Sequence, residues 1–415
     1  MDIISDLSDE LLLKILQLVP TKVAVSTSIL SKRWEYLWMW LPKLDYCDSI
    51  GSDHECGRLQ SFLDRNLPLH RAPVIESFRL RICCSCLKPK NIKMSVLTAV
   101  SHCARELEIL NQFFLAKPEI LPSNLYTCKT LVILKLVGEI FLDVPRMVSL
   151  PSLKTLELER VTYFKDGTLQ RLLSNCPILE YLVLILKDQD NSGKLTVVVP
   201  SLQSLSLYIP YAHDIDGVVI ETPCLKYFIL WDLSWQDHYF LIENMPFLAE
   251  AYVDVNLSDT KSLIGSITSV KRLGICSKLM LDEDFVFNQL EQLKVCSCTF
   301  FFSNRLFWLL KASSNLQGLY FSHMKDHDYS LQDMDDWNEP STVPECMLSS
   351  LQTLHWSTYT GEPRERDIAV YILKNARHLK TATIKSTESE VPKSEMLKEL
   401  ELSSRASAAC QLMFE

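Results

Sequence analysis

The side chains in this sequence equipped for chemistry are histidines, cysteines and carboxylates, and a few groupings bring them close together. His323-Met324-Lys325-Asp326-His327-Asp328 sets two imidazoles four residues apart with carboxylates beside them, the composition of a metal or general-base site. It falls where an apolar repeat ends and a polar insertion begins, so a solvated loop is expected, because a site needs helical rigidity and an inward face. His213-Asp214-Ile215-Asp216-Gly217 reads the same way. Cys83-Cys84-Ser85-Cys86 and Cys296-Ser297-Cys298 gather sulfur, but a zinc site pairs such a cluster with a second one or with histidine, and no partner stands in register. The 14 cysteines are expected to be reduced, small core residues. The sequence contains no G-x-S-x-G elbow, no phosphate-cradling glycine loop and no H-E-x-x-H helix, and it has only 10 glycines. The reading is a non-enzyme with no metal and no cofactor.

Function must then lie in surfaces, and a repeat says which elements build them. The pattern apolar-x-x-apolar-x-apolar recurs at Leu131/Leu134/Leu136, Leu153/Leu156/Leu158, Leu179/Leu182/Leu184, Leu202/Leu205/Leu207 and Leu225/Phe228/Leu230. It continues at Leu248/Ala251/Val253, Val270/Leu273/Ile275, Leu290/Leu293/Val295 and Leu316/Leu319/Phe321. Successive units start 22, 26, 23, 23, 23, 22, 20 and 26 residues apart, the period of leucine-rich repeats. Weaker copies stand at Ile75/Phe78/Leu80, Leu351/Leu354/Trp356 and Leu379/Ala382/Ile384. Each strand buries its apolar positions against the next repeat, which predicts a curved solenoid with a parallel sheet. A polar Asn or Cys follows the strand only at Cys83, Asn256 and Cys298, so the curve is expected to be irregular. Helical segments are expected between strands, over 166–174 and around Leu59, Phe62, Leu63 and Leu67.

Side chains alternate along a strand, so the residues between and just after the buried positions face the concave surface. These are Tyr181, Val183 and Ile185, then Tyr208, then Tyr227, Ile229 and Trp231, then Tyr252, with Arg272 and Lys294 on the adjacent repeats. An aromatic, apolar stripe where a solvated sheet would be polar is the expected substrate-binding surface, since Tyr and Trp anchor interfaces. Aromatic side chains stacked across strands, a loop or the C-terminal domain are the alternative cover for it.

Composition narrows the classes further. With 415 residues and 47% apolar content the chain can hold two or three folded domains. A net charge of −9 from 42 basic and 51 acidic residues, without a basic block, argues against a nucleic-acid partner. No secretory signal opens the sequence, and no stretch approaches the ~20 apolar residues that span a bilayer. No membrane association is expected, and an intracellular location, cytoplasm and/or nucleus, is.

The N-terminal forty residues carry the most specific signal. Leu11, Ile15 and Leu18, with Leu12 and Val19 beside them, recur at helical spacing behind the capping pair Ser8 and Asp9, and Pro20 ends the helix. Thr21 and Ser31 are candidate caps for two further helices, the last presenting Trp34, Leu37 and Trp38. Leu7-Ser8-Asp9-Glu10-Leu11-Leu12 through Leu30-Ser31-Lys32-Arg33-Trp34 resembles an F-box. With Pro20-Thr21-Lys22 and Ala24-Val25-Ser26-Thr27-Ser28, it is similar to the plant subfamily that also bears leucine-rich repeats and a C-terminal FBD domain. The family usually has Pro where this chain has Ser8; Ser caps by hydrogen bonding where Pro pre-sets φ, so the helix is still expected. Further segments similar to the subfamily are Arg58-Leu59-Gln60-Ser61-Phe62, His70-Arg71-Ala72-Pro73, Tyr371-Ile372-Leu373-Lys374-Asn375-Ala376 and Ser403-Ser404-Arg405-Ala406-Ser407.

The fold class expected is α/β: a three-helix F-box over 1–45, an irregular repeat solenoid over 46–325, an acidic insertion over 326–345 holding Asp333, Asp335, Asp336 and Glu339, and an α+β FBD domain over 346–415. The last part should run as a helix over 365–376, a strand over 379–384, a helix over 393–402 and a strand over 410–414. The resemblance implies a substrate-recognition subunit of an SCF-type ubiquitin ligase, with a Skp-type adaptor held by Leu7, Ser8, Glu10, Leu11, Ile15, Leu16, Val23, Leu30 and Trp34. A target protein would be selected by the repeats and the FBD domain. A non-degradative repeat scaffold and a small-molecule-gated co-receptor stand as alternatives.

Overall fold

The computed structural model of the protein describes residues 4, 7–46, 53–82, 89–111, 119–163, 167–189, 191–255, 261–276, 285–296, 302–323, 339–387 and 391–415. The Cys83–Cys86 cluster, Asn256, Ser297 and Cys298, the Met324–Asp328 half of the histidine grouping and the acidic run through Asp336 lie outside the described residues. Two compact units divide the chain, Met1–Ser204 with Ala212–Asp216, and Leu205–Tyr211 with Gly217–Glu415.

The first unit opens on helices α1 (Asp9–Leu16) and α2 (Thr21–Ser26), then a turn at 32–36 running into a short 3-10 helix, Leu37–Trp40. The chain passes directly into a ladder of parallel strands: Lys43–Tyr46, Ser77–Ile82, Glu106–Asn111, Ile133–Gly138, Thr155–Glu159 and Tyr181–Ile185, each paired with the next. Parallel pairing demands a crossover for every strand, and the helices Asp53–Asn66, Pro89–Ser101 and Thr168–Leu173 supply some of these. Others contain short strands, with Ile140–Leu142 pairing in parallel with both Glu119–Ile120 and Thr162–Tyr163.

In the second unit the ladder order is Ser204–Ile209, Tyr227–Asp232, Glu250–Val255, Arg272–Ile275, Gln292–Cys296, Gly318–Ser322, Thr353–Tyr359, Thr381–Ser386 and Gln411–Phe414. The FBD-like segment adds its three strands to the same sheet, flanked by the helices Pro363–Asn375 and Lys393–Leu402. Tyr239–Ile242 pairs with the end of Asp214–Glu221 in a separate sheet.

The apolar repeat positions form the core. Leu134, Leu136, Leu156, Leu158, Leu205, Leu230, Leu293, Leu319, Leu354 and Ile384 are all buried, each contributing roughly 1.5–3 kcal/mol of transfer free energy. Large aromatics fill the core towards the C-terminus, where the Phe321 and Trp356 rings sit 4.4 Å apart and Trp356 meets Tyr359 at 5.3 Å. One turn depends on glycine. Gly138 has φ +91°, and a Cβ there would lie 1.7 Å from the carbonyl oxygen of Asn111, whose side-chain amide donates to the Glu139 carbonyl at 3.0 Å.

Two expectations are corrected. His213 is not in a solvated loop: it is 3% exposed, its ring Nδ1 lies 2.7 Å from the Lys187 carbonyl, and Asp214–Glu221 is a strand with Val218 and Ile220 fully buried. Polar residues at the start of that segment masked the apolar run behind them. Helices are also not the only crossovers, because the strands just named take their place.

Candidate functional site

The N-terminal module is built around two opposed faces of α1. Ser8 caps it, its Oγ accepting from the Leu11 amide at 3.4 Å, and Asp9 and Glu10 place charge where the helix dipole favours it. Leu12 and Leu16 are buried, whereas Leu11, Ile15 and Leu18 are 45%, 42% and 84% exposed. The same outward surface continues through Val23 at 46%, Ile29 at 88% and Leu30 at 65%. Arg33 ties the module together: it donates to Asp9 Oδ1 from Nε at 2.8 Å and to the Leu7 carbonyl from Nη2. Thr21, rather than capping α2, accepts from the Asp45 amide at 2.7 Å and fastens that helix to the first ladder strand. Trp34 is buried, as are Leu37, Trp38 and Met39.

Of the residues expected to meet the adaptor, Ser8, Glu10, Leu11, Ile15, Val23 and Leu30 face outward and Leu7 is half-buried. Leu16 and Trp34 do not: both are inside the chain's own core. Ile29, an apolar residue of the second helical segment outside the set expected to meet the adaptor, joins the outward group. Its signal was there, an apolar residue just past a helix of six residues too short to bury it.

On the ladder, side chains alternate between buried and outward positions, and the outward strand face differs in character between the two units. In the first, the register runs Arg79, Glu108, Lys135, Glu157, Val183, with ion pairs of 2.8 Å between Arg79 and Glu108 and 2.5 Å between Lys135 and Glu157. Charge alternates across strands, so this face is largely self-satisfied. Tyr181 is exposed at its edge, and Val183 and Ile185 are half-buried.

In the second unit the concave residues are aromatic. Tyr208, Trp231 and Tyr252 form an edge-to-face series, with centroids 6.1 and 5.8 Å apart, so part of the stripe is covered by its own neighbours. Tyr227 remains 46% exposed, and Ile229 is half-buried. Arg272 makes a two-donor contact with Glu250 Oε2, at 2.9 and 2.8 Å. Beyond Tyr252 the aromatic wall is interrupted by Gly274 and resumes at Tyr320, leaving a cavity of about 370 Å³ that Lys294, Ser322 and His355 also line. Burial and the nearby Lys385 ammonium lower the His355 pKa below the usual imidazole value.

A second grouping, Asp232, Ser234 and His238, has the residue types of a nucleophilic triad. His238 Nε2 is 2.9 Å from Asp232 Oδ2, and Ser234 Oγ is 3.4 Å from His238 Nδ1. All three are buried, and Asp232 also accepts from the Ser234 amide at 3.1 Å. No substrate reaches a serine this enclosed, so the group closes the loop 232–238. It holds Trp235, 80% exposed, beside Tyr211, with ring centroids 6.3 Å apart. Burial pushes the His238 pKa down, but the hydrogen bond and charge of Asp232 outweigh this and leave it raised. Among the described residues no three His, Cys, Asp or Glu side chains are placed to hold a metal ion, and no helix is long and apolar enough to cross a membrane.

The geometry defines a class: a leucine-rich-repeat protein with an N-terminal helical module that leaves an apolar face uncovered. Comparison with known families matches an F-box domain at residues 4–46, the LRR repeats of FBD-associated F-box protein At5g56370 at 94–245, and FBD at 339–384. The chain is 59% identical to FBD-associated F-box protein At4g10400 of Arabidopsis thaliana over 414 residues, covering 100% of both chains. It is 51% identical to FBD-associated F-box protein At5g38590 of the same plant over 404 residues, covering 96% of this chain and 98% of the relative. The chain belongs to the FBD-associated F-box family with leucine-rich repeats.

Proposed function

We propose that this chain is the non-catalytic substrate-recognition subunit of an SCF-type ubiquitin ligase, working inside the cell. Its F-box holds a Skp-type adaptor and, through it, a cullin–RING ligase, while the repeat and FBD region selects a protein target. The work is proximity: target lysines are brought to a ubiquitin thioester formed elsewhere, so the chain needs no catalytic residue of its own.

The observation that carries this reading is the outward apolar surface of Leu11, Ile15, Leu18, Val23, Ile29 and Leu30. These residues stand on a module already anchored by Leu12, Leu16, Trp34 and Trp38, so the apolar area they leave exposed adds nothing to its folding and fits a partner. The test is co-purification of the full chain with a Skp-type adaptor, beside Leu11→Asp and Ser8→Pro. A stoichiometric complex that Leu11→Asp abolishes supports the receptor. A wild type that captures no adaptor, with Ser8→Pro restoring capture, supports the free repeat scaffold instead.

A further inference from the structure

The cavity on the concave face of the second unit has a shape and charge that select one chemistry. Its residues come into line because parallel register places Tyr252, Gly274, Lys294, Tyr320 and His355 side by side on five successive strands. Gly274 sets where the Tyr252 wall stands. A Cβ at that position would lie 2.5 Å from the Tyr252 ring, so the tyrosine leans over the bare backbone and any larger residue would push it away. At about 370 Å³ the space is at the small end for a ligand site, enough for one or two side chains of a docked segment.

Its charge is equally specific. The Arg272 guanidinium is spent on Glu250, and the pair cancels. The depressed pKa of His355 leaves its imidazole neutral. Lys294 is exposed and has no ion-pair partner among the described residues, so the cavity carries one uncompensated positive charge on a chain of net charge −9. Beside it, Ser322 Oγ is enclosed and has no hydrogen-bond partner among the described residues. One ammonium and one hydroxyl match the two oxygens of a carboxylate. A phosphate dianion would call for a second free cation, which the Arg272–Glu250 pair withholds.

We propose that this cavity receives an acidic side chain from an extended segment of the target protein, with the carboxylate on Lys294 and Ser322 and its aliphatic stem between the Tyr252 and Tyr320 rings. The proposal rests on the receptor reading and names the chemistry of the target. A protein target fits because Tyr227, 46% exposed, stands in register beside Glu250 at the cavity's lining, so an extended chain seated in the cavity can run on to it.

The test uses the full chain, alone and mixed with a Skp-type adaptor, and immobilised hexapeptide pools, acetylated and amidated at their ends, whose third residue is fixed as Glu, Gln or Lys. Wild type should retain the Glu pool about tenfold over the Gln pool, the value of one charge-assisted hydrogen bond. Lys294→Met, an exposed substitution, should bring the ratio to about one, and Lys294→Glu should shift preference to the Lys pool. Equal retention of Glu and Gln pools by wild type, or a preference that survives Lys294→Met, overturns the proposal. So does a wild type blind to every pool but stabilised against thermal unfolding by sodium benzoate in a Lys294-dependent way, which would make the cavity a small-molecule site. The two readings fail separately: adaptor capture without Glu preference sinks only the cavity, and Glu preference in a chain that captures no adaptor sinks only the ligase assignment.

Discussion

Exposure within the F-box ranks its residues by what each should contribute to adaptor affinity. Full burial of a Leu or Ile side chain is worth roughly 1.5–3 kcal/mol. Leu18 and Ile29 are 84% and 88% exposed in the free chain, so burial under the adaptor should bring about 2 kcal/mol from each. Leu11 and Ile15, at 45% and 42%, have about 1 kcal/mol left to gain. Truncation to Ala should weaken the complex about 30-fold at Leu18 or Ile29 and about fivefold at Leu11 or Ile15. Leu18→Ala and Ile29→Ala should leave the unfolding temperature nearly unchanged, whereas Leu11→Ala and Ile15→Ala, more than half-buried already, should also cost the fold about 1 kcal/mol. Leu16→Ala and Trp34→Ala act on the fold instead, at about 2–5 kcal/mol each, because both side chains are enclosed. The assay is calorimetric titration of each full-length variant with a Skp-type adaptor, paired with its thermal unfolding curve. The reasoning is refuted if Leu18→Ala and Ile29→Ala bind like wild type, or if Trp34→Ala loses the adaptor with an unchanged unfolding temperature.

Gly138→Ala should destabilise the first unit by at least about 2 kcal/mol, read from denaturant unfolding, because it combines a positive φ with a Cβ set against the Asn111 carbonyl. His70 is buried beside His102, with its pKa lowered to about 4 by burial first and by the second imidazole. The unfolded state therefore binds the extra proton between pH 6.5 and 4, and stability should fall across that window by up to about 3 kcal/mol. In His70→Leu this acid limb should be shallower. His238 has the opposite sign: its raised pKa gives a contribution complete below the ordinary imidazole value and lost as pH rises through the raised one. Unfolding followed by tryptophan fluorescence should show wild type losing stability as the pH rises above the ordinary imidazole value, and His238→Gln losing that dependence.

The ladder was legible because a period near 23 residues repeats many times, and each copy announces two buried positions. Two strands escaped for definable reasons. Glu106–Asn111 begins from Ala104, too small to read as the leading apolar residue, and Lys43–Tyr46 starts directly after Pro42, with its first three residues inside a segment read as F-box. In the C-terminal part, Lys393–Leu402 has the predicted bounds and the final strand differs by one residue, since amphipathic spacing is unambiguous there. Inside the F-box the run Leu11-Leu12-Leu13 hides the phase of the helix. Periodicity alone could not say that Leu12 and Leu16 turn inward while Leu11 and Ile15 face out. Alternation placed the concave residues through Lys294. It did not reveal the cavity, which depends on an absent side chain at Gly274 and on Tyr320 and His355 from later repeats. Shape of that kind is a property of register across strands, which no single segment carries.

The central claim is that the adaptor occupies the outward F-box surface and leaves the concave strands free for a target. Hydrogen exchange of the full chain, alone and saturated with a Skp-type adaptor, tests it most directly. Exchange should slow over residues 9–30 and stay unchanged in the strands Tyr227–Asp232, Glu250–Val255 and Gln292–Cys296. Protection spread across those strands, or none at residues 9–30, would contradict it.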